Sequence, residues 1–184
     1  MNNNDFDLKK LPLYDGITHI NIYSKAETEL GRLLSNLSNL SVKIPSIGTF
    51  KCLEGYWYYL KCEQVLSYKE FEKIKDNFFD FNGFQAKKYG KEILENFFKE
   101  KKLITDNEIP NEFKDKIKLA LQYKIKQNIY LAKLLVNSDL PFYHYYYYGQ
   151  KDNAKVIFLN QYDWIIDEIV RLRSILKDVQ KMKK

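Results

Sequence analysis

The sequence predicts an α+β fold that is mainly helical and carries a small β-sheet. Its 184 residues are enough for one domain with a hydrophobic core and too few for two comfortable ones. Several long stretches place apolar residues at helical spacing, whereas only short stretches alternate apolar and polar residues as strands do. No internal repeat is visible, and we predict that residues 1–184 form a single domain.

Predicted strands and loops occupy the first quarter of the chain. Residues 1–10 are polar, lack the apolar core of a signal peptide and predict a flexible leader. Residues 17–24 and 40–44 predict strands because apolar and polar residues alternate in them. Residues 25–39, which are rich in serine and asparagine, predict a loop or a short helical piece, and residues 45–50 predict a turn.

Helices dominate the remainder of the chain. They are predicted over residues 53–62, 68–79, 82–98, 112–136 and 162–181. Gly90 weakens the third of these helices, and residues 101–112 predict a polar linker. Residues 141–149 are rich in tyrosine and predict a strand.

The composition argues against several function classes. Two cysteines and two histidines are too few for a disulfide framework or a histidine-based metal site. No apolar run approaches the ~18–20 residues of a membrane span. We therefore expect a cytoplasmic protein without a metal or a cofactor. The net charge of +6 favours anionic partners such as nucleotides or nucleic acid, although a solvated, lysine-rich surface explains the same charge.

Glu54 is a candidate catalytic residue. It is the second residue of a predicted helix, where the helix dipole stabilises a carboxylate, and this structural role explains its position. Aromatic residues fill positions 56–59, and they favour a second interpretation, a general base or a partner for a developing cation in a water-excluding cleft. Trp57 is then a candidate for stacking on a base, and Lys61 is a candidate for holding a phosphate.

Two polar residues interrupt the apolar stripe of the longest predicted helix. Lys124 and Asn128 lie one turn apart among apolar residues, where an ammonium and an amide are costly unless partners satisfy them. In one interpretation Lys124 snorkels from the edge of the stripe and Asn128 caps or bridges helices. In the other, the pair binds phosphate and ribose at the floor of a cleft.

The loop predicted at residues 25–39 offers further ligand-binding side chains. Arg32 could clamp a phosphate, and Ser35 and Asn36 follow it in the same loop. An asparagine amide there could contact a ribose or a base edge. A structural turn explains these residues equally well.

The tyrosine-rich strand also has two interpretations. Alternation places Tyr145 on one face of the strand and His144 on the other. The strand is either a piece of sheet packed on both sides by tyrosine rings, or a stacking platform for a base with His144 supplying hydrogen bonds.

Several stretches together resemble the NADAR/YbiA-like superfamily, and more closely its phage-borne branch. In chain order they read ELGRLLSNLSN, FKCLEGYWYYLK, NGFQAKKYGKEI, ALQYKIKQNIYLAKLLVNSDLPFYHYYYYG and WIIDEIVRLR. Their order agrees with the family. The combination of an LSN element, an EGYW element, a G-x-x-A-K-x-x-G element and a K-x-x-x-N element is moderately specific.

The resemblance implies a compact, mainly helical YbiA-like domain with one cleft for ligands built on ribose or ADP-ribose. Characterised relatives are similar to N-glycosidases that act on riboflavin-pathway intermediates or remove ADP-ribose from modified nucleobases. By position, Glu54 matches the motif glutamate and would face a ribosyl carbon. The other motif positions are matched by Ser35, Asn36, Lys61, Gly83, Lys87, Lys124 and Asn128.

One departure from the family bears on catalysis. Many hydrolytic members carry an Asp-x-x-Trp-Gly element after the long helix, where this chain reads HYYYYGQK. Because glycosidases usually employ two carboxylates, Asp139 becomes the candidate for the second one.

Two functions follow from this comparison with the family. The first is an N-glycosidase that hydrolyses an ADP-ribosyl or ribosyl-phosphate compound. The alternative is a non-catalytic phage sponge that sequesters an ADP-ribose-derived nucleotide signal as anti-defence in the cytoplasm of the host cell. Single-stranded nucleic-acid binding is less favoured, because the lysines are dispersed over every predicted helix instead of forming one stripe. We expect no membrane partner, and the sequence leaves the oligomeric state open.

Overall fold

The computed structural model describes residues 8–101 and 109–182 of the chain. Helices account for most of these residues, and the strands are short, so the mainly helical α+β fold is confirmed. The described residues form two compact units. We call Asn36–Ile129 the central unit, and we call Met1–Ser35 together with Tyr130–Lys184 the discontinuous unit.

The elements of both units are as follows. The α-helices are α1 Glu29–Leu34, α2 Leu53–Val65, α3 Tyr68–Glu72, α4 Asn77–Asp80, α5 Gly83–Lys101, α6 Asn111–Gln127, α7 Ile129–Val136 and α8 Asp163–Lys181. The strands are β1 Ile20–Asn21, β2 Val42–Ile44, β3 Gly48–Phe50, β4 Phe142–Tyr143, β5 Tyr145–Tyr148 and β6 Lys155–Phe158. Short 3-10 helices cover Leu8–Tyr14, Lys151–Asn153 and Asn160–Tyr162.

The central unit is built around α2. Residues 53–60 of this helix are all buried, because aromatic rings and α5 pack against it. Trp57 meets the edge of the Phe113 ring, with 4.8 Å between the ring centroids. On α5, a Cβ atom at Gly90 would lie 2.2 Å from Cδ1 of Tyr58. Glycine therefore allows the two helices to approach closely at this point.

The β2–β3 pair completes the central unit. The two strands are antiparallel, with Val42 opposite Phe50. At the end of α6, the side chain of Gln127 accepts from the N–H of Lys43 at 2.8 Å and donates to its carbonyl oxygen at 2.9 Å. These two bonds give an edge of β2 the partners that another strand would otherwise supply.

The discontinuous unit joins the two ends of the chain. β1 pairs with β4 in parallel, with Ile20 opposite Phe142, and β5 pairs with β6 in antiparallel register. The side chain of Asn21 bonds both the N–H and the carbonyl of Tyr145, at 3.1 Å each. An asparagine amide thereby replaces a missing strand partner.

The predicted strands are found in shortened form. Of residues 17–24 only β1 is a strand, and β2 confirms the strand at 40–44. The turn predicted at 45–50 contains β3, so this stretch is a hairpin. The strand predicted at 141–149 divides at His144 into β4 and β5.

Two of the predicted helices are divided in the structure. The stretch 68–79 divides into α3 and α4, and 112–136 divides at Asn128, whose φ of −114° and ψ of 89° are not helical. Helix α5 continues through Gly90. The helices predicted at 53–62 and 162–181 are confirmed as α2 and α8.

The predicted leader overlaps a folded segment. Its residues 8–10 begin the 3-10 helix Leu8–Tyr14, while residues 1–7 lie outside the described part of the chain. Across residues 8–101 and 109–182, no helix has both the length and the apolar composition needed to cross a membrane. Whether the two units act as one domain stays a prediction.

Candidate functional site

Glu54 lies in the first turn of α2, in the interior of the central unit. Its residue surface is 9% exposed. The N-cap is Cys52, whose Sγ accepts from the N–H of Gly55 at 3.4 Å. The N–H of Glu54 donates to the carbonyl oxygen of Asn36 at 2.9 Å. The LSN segment therefore contributes a backbone acceptor to the start of α2, where helix N–H groups lack partners within the helix.

Burial determines the protonation of Glu54. It raises the pKa of the carboxyl from 4.5 to about 7, because a charged carboxylate loses its hydration there. Three ammonium groups act in the opposite direction, those of Lys87 on α5, Lys61 on α2 and Lys124 on α6. The carboxyl therefore changes between its protonated and ionised forms near neutral pH, and the positive charges of three lysines favour the ionised form.

Lys124 is the most deeply buried charged residue at this site, with 0% exposure. Its Nζ donates to Oγ of Ser38 at 2.8 Å. Burial lowers the pKa of the ammonium from 10.5 to about 7, while Cys52 and Glu54 raise it. The structure thus rules out the interpretation in which this side chain snorkels to the surface.

Asn128 ends α6 next to Lys124. Its Nδ2 donates to the carbonyl oxygen of Lys124 at 2.6 Å and, at 3.4 Å, to that of Ser41. These bonds satisfy a carbonyl at the helix end, which is the capping role that the sequence left open. Ligand binding by this amide stays a prediction.

Trp57 and Lys61 form the outer part of the site on α2. Nζ of Lys61 lies 5.5 Å from the centroid of the Trp57 ring, within the range of a cation–π contact. Lys61 is half-buried, and burial lowers the pKa of its ammonium. Lys87 on α5 is also half-buried. These two lysines are the cations near Glu54 that retain solvent access.

Two residues expected to bind ligand lie in and after α1 of the discontinuous unit. Nη1 of Arg32 donates to the carbonyl oxygens of Ala26 and Glu27, at 2.8 and 2.7 Å, so part of the guanidinium holds the preceding loop. The N–H of Ser35 donates to the carbonyl of Gly31 at the end of α1. Both residues serve local structure here, and their contact with a ligand stays a prediction.

Asp139 lies in the discontinuous unit on the surface. Its carboxylate forms an ion pair with Lys177 and is 90% exposed. That contact lowers the pKa of Asp139, so the group stays ionised at neutral pH. An exposed, ion-paired carboxylate lacks the raised pKa that a general acid needs. Its role as the second catalytic carboxylate stays a prediction.

The tyrosine-rich strand places Tyr145 in the interior of the discontinuous unit. Its ring is fully buried, and its hydroxyl forms a 2.8 Å hydrogen bond with Nε2 of His19. The half-buried ring of His144 lies 5.9 Å from that of Tyr162, centroid to centroid. These contacts fit a strand packed by aromatic rings, and stacking of a base on Tyr145 would require the ring to be uncovered.

Sequence reasoning missed two residues that shape the site. Ser38 bonds Lys124, and Cys52 caps α2. A sequence feature could have identified the serine, because the tripeptide Leu-Ser-Asn occurs twice in succession at 34–39, and Ser38 occupies in the second copy the place that Ser35 has in the first. The cysteine carried no such feature, since serine, threonine, aspartate and asparagine are the usual N-caps.

A polar surface depression of about 340 Å³ lies in the central unit, and residues 39 and 41 contribute to its lining. Neither Glu54 nor Lys124 lines it. Its lining residues are Asn39, Ser41, Lys51, Asp80, Asn82 and Gln85.

Comparisons of the chain with protein-family models, with curated proteins and with solved structures found no match. In the described part of the chain, no three histidine, cysteine, aspartate or glutamate side chains are grouped so that they could hold a metal ion. The arrangement around Glu54 is therefore the basis for a functional assignment.

Proposed function

We propose that this protein adopts a YbiA-like fold and hydrolyses the N-glycosidic bond of an ADP-ribosyl or ribosyl-phosphate compound, with Glu54 as the catalytic carboxyl. The observation that carries the proposal is the position of Glu54, buried at the start of α2 with three lysines acting on it. The sequence resemblance to the NADAR/YbiA-like superfamily motivates the substrate class.

The protonation of Glu54 suits this chemistry. A general base works best when its pKa lies near the operating pH, and burial brings the pKa of this carboxyl to about 7. In the ionised form it can accept a proton from water or stabilise a cationic ribosyl group. N-glycoside hydrolysis passes through an oxocarbenium-like transition state, which a nearby carboxylate stabilises.

The reaction then proceeds by a single displacement by water. The water oxygen bonds to the anomeric carbon, and Glu54 takes the proton that the water loses. The bond from that carbon to the base nitrogen breaks, and its electron pair stays on the base, which takes a proton from solvent. The products are a free base and a ribose that carries the new hydroxyl.

The lysines divide into two roles by their exposure. Lys61 and Lys87 are half-buried and are the candidates for binding phosphate oxygens, since an ammonium is a compact point charge for such groups. Lys124 is fully buried and bonded to Ser38, so its charge acts on Glu54 instead of on solvent. Trp57 remains the candidate for a stacking contact with the base.

A second function rests on a different observation. Asp139, the expected second carboxylate, is exposed and ion-paired with Lys177, and this contact lowers the pKa of Asp139 instead of raising it. A protein with the lysines but without catalysis would bind an ADP-ribose-derived nucleotide and hold it intact. In that case it acts as a phage sponge in the host cytoplasm.

One experiment separates the two functions. The full chain is incubated with ADP-ribose, NAD, cyclic ADP-ribose isomers and ribosylated bases, and the mixtures are analysed by chromatography before and after heat denaturation of the protein. A glycosidase produces a free base, or linear ADP-ribose from a cyclic isomer, and this product is absent with Glu54→Gln. A sponge removes a nucleotide from solution and returns it unchanged after heating.

The matched control is Glu63→Gln, which alters an exposed carboxyl on the same helix. We expect it to behave like the wild type in both assays. Full turnover by Glu54→Gln would exclude the catalytic role of Glu54, and a wild type that neither converts nor retains any of these compounds would exclude both functions.

A further inference from the structure

We infer that Ser38 is a positioning residue for the proposed reaction, in which its hydroxyl holds the buried ammonium of Lys124 at the segment whose Asn36 carbonyl accepts from the N–H of Glu54. This inference rests on the proposed function, because Glu54 is the catalytic carboxyl only there. It assigns a role to the serine of the second Leu-Ser-Asn copy, residues 37–39.

The bond between Ser38 and Lys124 joins a half-buried hydroxyl to a fully buried ammonium. Nζ of Lys124 donates to Oγ of Ser38 at 2.8 Å, and the lysine has no exposed surface. An ammonium that leaves water loses its hydration and needs acceptors in the protein to remain charged. A hydroxyl oxygen supplies one such acceptor.

The segment that carries Ser38 is fixed to three helices. The carbonyl of Asn36 accepts from the N–H of Glu54 on α2 at 2.9 Å. A Cβ atom at Gly83 would lie 2.5 Å from Cα of Leu37, so this backbone packs directly on the start of α5. The carbonyl of Ser41 accepts from Asn128 after α6 at 3.4 Å. These contacts fix the backbone before and after Ser38, and they thereby fix the position of its hydroxyl.

The hydroxyl acts on Glu54 through the charge of Lys124. The charged groups that face Glu54 are Lys61 on its own helix, Lys87 on α5 and Lys124 on α6. Of these, only Lys124 is fully buried, so its charge is the one that depends on an acceptor in the protein. Without the hydroxyl, Lys124 would release its proton more readily, and Glu54 would keep its own proton to a higher pH.

A purely structural role for Ser38 predicts a different result. If Ser38 only stabilised its loop, its replacement would lower the unfolding free energy and leave the titration of Glu54 in the folded protein unchanged. The titration midpoint of Glu54 therefore separates the two roles, and it is measurable without any substrate.

The test uses ¹³C NMR of the glutamate carboxyl carbons in the full chain, with the Glu54 signal assigned by its loss in Glu54→Gln. Because Lys124 loses an acceptor for its charged form, we expect Ser38→Ala to raise the Glu54 midpoint by about half a pH unit or more. Ser38→Thr keeps the hydroxyl and should titrate like the wild type. Ser41→Ala, an exposed serine of the same segment, is the matched control and should also leave the midpoint in place.

An unshifted midpoint in folded Ser38→Ala would overturn the inference. If this variant does not fold, Ser38→Cys replaces it, because a thiol is a weaker acceptor; an unshifted midpoint there is equally decisive. The pH profile of turnover provides the second readout, and its acidic limb should move with the midpoint. If the wild type converts none of the compounds tested above, the proposed reaction fails, while the NMR titration still decides whether Ser38 sets the charge at Glu54.

Discussion

Glu54 of α2 and Lys124 of α6 are buried in the same unit, and each favours the charged form of the other. Burial acts against both charges and is the larger effect on each pKa. As the pH rises, the contribution of Glu54 to the free energy of unfolding decreases and that of Lys124 increases. Each contribution can be measured with a single substitution.

The first prediction concerns Glu54→Gln. The pKa of Glu54 is raised from 4.5 in the unfolded chain to about 7 in the folded protein. Its stabilising contribution is thus fully present below pH 4.5 and is lost as the pH rises through 7. Relative to Glu54→Gln, the wild type should lose about 3 kcal/mol of unfolding free energy over this range. Urea unfolding of both proteins at a series of pH values measures the difference, and parallel curves would contradict it.

The second prediction concerns Lys124→Met. The pKa of Lys124 is lowered from 10.5 to about 7, so its stabilising contribution is fully present above pH 10.5 and is lost as the pH falls through 7. Relative to Lys124→Met, the wild type should gain about 4 kcal/mol between pH 7 and pH 10.5. Lys126→Met removes an exposed ammonium from the same helix and should show no such gain. Guanidinium titrations at the two ends of the range provide the comparison.

The third prediction concerns Gly90→Ala. In an exposed helix this change would stabilise by about 1 kcal/mol. Here the new Cβ would lie 2.2 Å from Cδ1 and 2.6 Å from Cβ of Tyr58, and the base of a ring cannot move aside as a flexible chain end can. We expect a loss of about 1–3 kcal/mol of unfolding free energy. Adding Tyr58→Ala removes the ring contacts and leaves only the Cβ contact at 2.6 Å. It should therefore relieve part of the clash, and a double-mutant cycle that shows no coupling would argue against this contact.

The fourth prediction concerns Tyr145→Phe. Removing the hydroxyl leaves Nε2 of the buried His19 without the 2.8 Å partner seen in the structure, which should cost about 1–3 kcal/mol. Tyr148→Phe alters a tyrosine that is 62% exposed on the same strand and should change stability by less than about 0.5 kcal/mol. Thermal unfolding reports both values. Unchanged stability in Tyr145→Phe, together with weakened nucleotide binding, would instead indicate that the hydroxyl contacts the ligand.

The sequence predicted α2 and α8 because long apolar stripes depend little on what packs around them. It could not place the breaks in the other helices. The apolar stripe continues on both sides of Asn128, and this residue ends α6 with bonds to the carbonyls of Lys124 and Ser41. Gly90 shows the converse case. The residue that should weaken a helix lies where Tyr58 packs against it, and this tertiary contact outweighs local propensity.

The candidate site could be predicted only in part for a similar reason. The spacing on α2 places Glu54 and Lys61 on one flank of the helix, but residues 53–60 are all buried whereas Lys61 is half-buried, a difference that the spacing does not show. The buried Lys124 donates to Ser38, which lies 86 residues away in the chain. Periodicity carries no information about such distant partners.

The pairing of β1 with β4 has a consequence for the protein while it is being made. Ile20 and Phe142 are partners although roughly 120 residues of chain separate them. At about 5–20 residues per second, the ribosome needs roughly 6 to 24 s to cover that stretch. Asn36–Ile129 is complete in sequence before Phe142 is synthesised, so the nascent chain can fold this unit while β1 still waits for its partner.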